Sequence, residues 1–116
     1  MLLILTGLLG LVAIGCGAFG AHGLEGRLSP KALGWWETAT LYLLVHTAAL
    51  AAVALSGRTR AVVVAGCLFA AGSVVFSGTL YAMALGAPTW LGAITPIGGL
   101  LLMAGWAALL VAGIKS

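Results

Sequence analysis

No aspartate occurs anywhere in the 116 residues, and Glu25 and Glu37 are the only acidic side chains. That scarcity removes most hydrolytic and metal chemistry at once. There is no paired-carboxylate arrangement, no Ser/His set with a plausible acid, no HExxH segment and no glycine-rich loop between a strand and a helix. An enzyme is not expected, and no cofactor or metal is implied. Charged residues make up only 6% of the chain, far too few to cover the core of a soluble domain this small. Cysteine is equally sparse: Cys16 and Cys67 fit neither a zinc spacing nor a disulfide scaffold. Both lie in apolar runs, where a cysteine behaves as a small hydrophobe.

What is present is apolar: 63% of residues are hydrophobic and the mean hydropathy is +1.24. At about 20 apolar residues per spanning helix, the length allows four spans and almost nothing between them. The expected fold is all-α, an integral membrane four-helix bundle forming a single domain over residues 1–116. Net charge is +3, from Arg27, Lys31, Arg58, Arg60 and Lys115 against the two glutamates. These charges are scattered, so the pI of about 9.3 reports orientation in a bilayer and no nucleic-acid partner.

The first span runs from Met1 to about Leu24. It could pass for a signal peptide, but no positive charge precedes it and the apolar run is too long for an h-region, so it reads as a retained helix. Ala13-Ile14-Gly15-Cys16 has only a loose likeness to a lipoprotein cleavage box. Glycines crowd this stretch, and in lipid they let neighbouring backbones approach. Gly17 and Ala21 form a small-xxx-small pair that Ala13 extends.

The first loop, Glu25 to Glu37, holds four of the seven acidic and basic residues. Ser29-Pro30 inside it suits an N-cap followed by a first helical position. Trp35 and Trp36 fall where an aromatic belt belongs. The second helix, about 30–55, carries Thr38, Tyr42 and His46 at spacings of four, which puts them on one stripe that needs partners. A basic turn, residues 56–60, closes it. The third helix, about 61–85, spaces Phe69, Ser73, Ser77 and Tyr81 by four. Thr95-Pro96 repeats the cap-then-proline start of the fourth, about 95–114.

With four spans, Arg58, Arg60 and Lys115 share one side with the N-terminus, and Arg27 and Lys31 share the other with Glu25. Three basic residues against two place both termini in the cytoplasm by the positive-inside rule. At about 1.5 Å per residue, His46 lies near the midplane with Ser77 at a similar depth. Tyr42 and Tyr81 come one turn outward, then His22, Glu37, Thr38 and Thr95 near the outer boundary. The polar residues thus gather in the outer half. Cys16 and Cys67 come out roughly 15 Å apart along the normal, too far for a disulfide.

An intramembrane histidine is a functional candidate by default. A neutral imidazole is nevertheless satisfied by a hydroxyl on a neighbouring helix. His22, at the interface, reads as solvated, and Glu37 as the partner of Arg27 or Lys31. His22 and His46 differ too much in depth to share a metal ion or a haem.

Four strings stand in order along the chain: Gly17-Ala18-Phe19-Gly20-Ala21-His22-Gly23-Leu24; Thr38-Ala39 with Tyr42 and His46; Phe76-Ser77-Gly78-Thr79-Leu80-Tyr81; and Gly92-Ala93-Ile94-Thr95-Pro96-Ile97-Gly98-Gly99 with Gly105-Trp106. Together they resemble the family called domain of unknown function 423, which is similar to the animal transmembrane protein 256. The resemblance implies a small multi-pass protein, in bacteria of the plasma membrane, and implies no reaction. It marks His22, Tyr42, His46, Ser77, Tyr81, Thr95 and Pro96 as motif positions. Many members carry a polar residue directly after the tyrosine of the second helix, where this chain has Leu43.

Two functions are compatible with these residues. One is a non-enzymatic bundle that serves as a subunit or assembly partner, as a homo-oligomer or with another membrane protein. The other is binding or passage of a small molecule or proton through an outward-facing cluster around His46. The small multidrug transporters match this chain in size alone, because their first helix carries a carboxylate and this one has none.

Overall fold

The computed structural model describes residues 1–24 and 26–115. Glu25, which the sequence puts in the first loop, and Ser116 lie outside the described residues. The chain folds into four long helices: α1 Leu2–His22, α2 Pro30–Ala54, α3 Arg60–Ala84 and α4 Thr95–Lys115. No strand occurs among the described residues. All four are long and apolar enough to cross a membrane. The long axis of 49 Å exceeds the roughly 30 Å hydrocarbon core, so the helix ends reach headgroup level.

The helix limits follow from local chemistry. The Ser29 hydroxyl accepts the Ala32 amide at 3.1 Å with Pro30 at the first position, as the sequence predicts. Thr59 caps α3 in the same way. Gly57 and Gly86, with φ of 115° and 107°, supply the left-handed residues that turn the chain out of α2 and α3. The start of α4 differs from expectation. A 3₁₀ turn, Thr89–Ala93, leads almost directly into it, and Thr95 is already helical. The Thr95 hydroxyl does not cap the helix but joins a contact with α3.

α2 and α3 form the central pair, with α1 laid against α2 and α4 against α3. Small residues set both flanking seams. On α1 these are Gly10, Ala13, Gly17 and Gly20, at spacings of three and four. A Cβ at Gly17 would stand 3.3 Å from the Thr40 methyl, and one at Gly20 only 2.6 Å from the Trp36 indole. Ala13 is fully buried there, whereas Ala21 is exposed, so the predicted pairing continues through Gly20 instead. On the α3–α4 side a Cβ at Gly98 would run into the backbone of Phe76, and one at Gly105 would sit 2.7 Å from the Phe69 ring. Without a hydrophobic drive between helices in lipid, such close backbone approach is what holds them together.

The stripe Phe69, Ser73, Ser77, Tyr81 is the inward face of α3, with the first three essentially buried. The α2 stripe is different. Thr38 is exposed and Tyr42 is 41% exposed, leaving His46 as the buried member. The inward face instead carries Trp36, Ala39, Thr40, Leu43, His46, Thr47, Leu50 and Val53. Trp36 therefore leaves the aromatic belt for the interior. Trp35, about 100° round the helix, stays at the periphery beneath the Lys31 ammonium, 5.5 Å from its ring.

Candidate functional site

The polar side chains form three knots between helices rather than one vestibule. The deepest centres on His46, eight residues short of the end of α2, Ala54. Its Nδ1 lies 2.8 Å from the Tyr42 carbonyl and its Nε2 3.0 Å from Nε1 of Trp106, nine residues short of the end of α4. A carbonyl can only accept and an indole N–H can only donate. The imidazole is thereby fixed as the tautomer with its proton on Nδ1. Phe69 and Trp106 close around it, with ring centroids 5.7 and 5.9 Å from the imidazole. Tyr42 lies along its outer side at 6.1 Å, against Phe76.

Nearly three turns nearer the start of α2, the Trp36 indole donates to the Cys16 carbonyl of α1 at 2.8 Å. The Thr40 hydroxyl donates to the Trp36 carbonyl at 3.0 Å and accepts the Tyr81 phenol at 2.7 Å. The Tyr81 ring also packs on Trp36, 4.5 Å between centroids. This knot joins α1, α2 and α3. Beside it, Ser77 donates to the Ala39 carbonyl at 2.8 Å. The third knot joins α3 to α4: the Thr79 and Thr95 hydroxyls share a hydrogen bond at 2.6 Å, with the Val75 carbonyl 2.8 Å from Thr79 and the Leu91 carbonyl 3.2 Å from Thr95 as the remaining acceptors.

The residues singled out from sequence are thus dispersed. Ser77 bonds Ala39 and not His46, and Tyr81 and Tyr42 belong to different knots. His22, Glu37 and Thr38 are exposed at the loop end. Among the described residues Glu37 forms no ion pair with Arg27 or Lys31. No group of three potential metal ligands comes together among the described residues. Cys16 and Cys67 are free.

Several members of the knots were not recognised from sequence: Trp36, Thr40, Phe69 as a ring partner, Thr79 and Trp106. One signal was available for Trp106. Counted from the end where α2 and α4 both finish, it stands at nearly the depth of His46. Two hydroxyls complete the interior. Thr47 Oγ1 and Ser73 Oγ are buried and find no hydrogen-bond partner among the described residues.

The model of a family described as "Protein of unknown function (DUF423)" matches residues 16–99. The chain belongs to the DUF423 family. Its DUF423 relatives include a UPF0382 membrane protein of Staphylococcus epidermidis, 48% identical over 97% of this chain and 94% of that one. The UPF0382 membrane protein YwdK of Bacillus subtilis is 43% identical, covering 97% and 95%. A UPF0382 membrane protein of Schizosaccharomyces pombe is 42% identical, covering 90% and 93%. No solved structure matches the chain. The DUF423 match includes all of the two outer knots and His46, while the indole that holds His46 lies beyond it.

Proposed function

We propose that this DUF423 chain is a non-enzymatic helical bundle that serves as a subunit or assembly partner for another membrane protein. The observation that carries this reading is the state of His46. Both ring nitrogens of the one histidine deep in the bundle are engaged, Nδ1 on the Tyr42 carbonyl one turn back in α2 and Nε2 on the Trp106 indole of α4, leaving no free basic nitrogen for a ligand or a proton. The hydroxyls of Thr40, Ser77, Tyr81, Thr79 and Thr95 are likewise taken up between helices. What remains for function is surface. α3 turns Cys67, Ala71, Val74 and Gly78 outward at spacings of four, three and four, and a Cβ at Gly78 would meet nothing within 4 Å. Small residues at that period suit a close-packed partner helix. The excess of basic residues at the end bearing Arg58, Arg60 and Lys115 supports a plasma-membrane orientation with both termini cytoplasmic.

A second reading, binding or passage of a small polar solute or proton around His46, is favoured by the partnerless hydroxyls of Thr47 and Ser73. Such buried groups ordinarily engage water or a ligand. Native mass spectrometry of protein extracted gently from its own membranes separates the two. The subunit reading expects a stoichiometric second protein that survives His46→Ala and is lost on Gly78→Leu. A small molecule bound to the wild type and lost on His46→Ala, with no protein partner, would overturn it.

A further inference from the structure

A groove of about 310 Å³ runs along the outer side of the α1–α2 seam. Gly17 and Ala21 form one wall; Trp36, Glu37, Leu41 and Leu44 belong to the other. The groove exists for the same reason the seam does. Glycines on α1 admit the Trp36 indole and the Thr40 methyl, and beside those side chains the missing Cβ atoms leave a hollow.

The chemistry of the groove is decided by what is still free in it. The Trp36 N–H is committed to the Cys16 carbonyl, and the Thr40 hydroxyl to Tyr81 and the Trp36 carbonyl. Glu37 is exposed and has neither an ion pair nor a hydrogen bond among the described residues. A carboxylate only accepts, so its complement is a cation bearing N–H donors.

The polarity of the groove runs in one direction. Glu37 is about 10 Å from the loop end of α2, at headgroup level. Leu41 and Leu44 follow at about 6 and 10 Å deeper, and since Gly20 packs on Trp36 and Gly17 on Thr40, Ala21 stands level with the carboxylate end and Gly17 with Leu41. A charged end at the interface and an apolar end toward the midplane is the arrangement of a lipid lying beside the helix. The hollow opens sideways on the surface that apolar spans turn toward the acyl chains, so its natural source of ligand is the bilayer.

We infer that this groove seats a phospholipid with a primary-ammonium headgroup, the ammonium on the Glu37 carboxylate and the upper acyl chain along Leu41 and Leu44. The site is independent of the His46 knot and of the outward face of α3.

The test is native mass spectrometry of the full chain in detergent with equal amounts of phosphatidylethanolamine, phosphatidylcholine and phosphatidylglycerol of the same acyl chains. The wild type is expected to retain phosphatidylethanolamine about fivefold over the other two, the size of effect one partly exposed charge pair supports. Glu37→Gln removes that preference. Ala21→Leu, at an exposed position, fills the hollow while leaving the carboxylate in place, and lowers retention of phosphatidylethanolamine itself. Circular dichroism and thermal melts confirm that both variants fold. Equal retention of the three lipids by the wild type, a preference that persists in Glu37→Gln, or unchanged retention in folded Ala21→Leu overturns the site. Glu37-dependent binding of dodecylammonium without any phosphatidylethanolamine adduct would overturn the lipid assignment in favour of a free amphiphilic cation.

Discussion

Nε1 of Trp106 donates to Nε2 of His46 at 3.0 Å across 60 residues of sequence, and it is the one side-chain hydrogen bond that ties α4 to α2 among the described residues. α4 otherwise packs on α3, so this bond and the ring contacts around it set how the outer helix is rotated. Interhelical hydrogen bonds inside membranes are worth about 0.6 kcal/mol on average and rarely above about 1.7. A double-mutant cycle with Trp106→Phe and His46→Phe, followed by reversible unfolding in mixed micelles, is expected to give a coupling in that range. Strict additivity of the two substitutions would show that the bond contributes nothing.

Gly98 and Gly99 offer a matched pair on one helix. A methyl at Gly98 meets the Phe76 backbone, which has no rotamer by which to move aside, whereas one at Gly99 makes only ordinary contact with the Phe76 ring at 3.8 Å. Gly98→Ala is expected to cost about 3 kcal/mol, the upper part of the range for overpacked cores. Gly99→Ala should stay within about 0.5 kcal/mol of the wild type or improve on it through helix propensity. Thermal unfolding in one detergent compares them directly.

α1 is the least anchored helix, with Ala13 its one fully buried side chain, and its polar tie is the Trp36 indole on the Cys16 carbonyl. Trp36→Phe keeps most of the ring packing and removes the donor. Amide hydrogen exchange is expected to speed up along α1 and to leave α3 and α4 unchanged. Faster exchange spread evenly over all four helices would mean that the indole supports the whole bundle instead.

Hydropathy revealed the four helices because apolar runs of spanning length have few alternatives, and Ser29-Pro30 marked the start of α2 because a cap followed by proline is a local signal. The inward face of α3 was also legible, since Phe69, Ser73, Ser77 and Tyr81 share one stripe. α2 was harder for a physical reason. In lipid both faces of a helix are apolar, so there is little amphipathic contrast to orient it. Polar residues were then the only guide, and they mislead near a helix end. Thr38 is exposed close to headgroup level, while Thr40, two residues on, is the one that turns inward.

The candidate site was legible at His46 but not in its partner. The expectation was a hydroxyl from α3, because Ser77 and His46 come out at similar depths. Depth along the normal says nothing of rotation about the helix axis, and α3 directs Ser77 at the Ala39 carbonyl while presenting Phe69 to the imidazole. An indole as the donor has no sequence signature beyond a matching depth. Trp36 and Trp35 carry the same lesson: adjacent tryptophans suggest a belt, yet adjacent positions point about 100° apart, so one of the pair can be interior.

Nitrogen solid-state NMR of selectively labelled His46 and Trp106 in bilayers tests most directly whether His46 is a structural tie. The expected spectrum has the proton on Nδ1, and Nε2 correlated with the Trp106 indole N–H in a single population. A proton on Nε2, exchange between tautomers, or no contact between Nε2 and the indole would contradict the account and return His46 to the candidates for a working site.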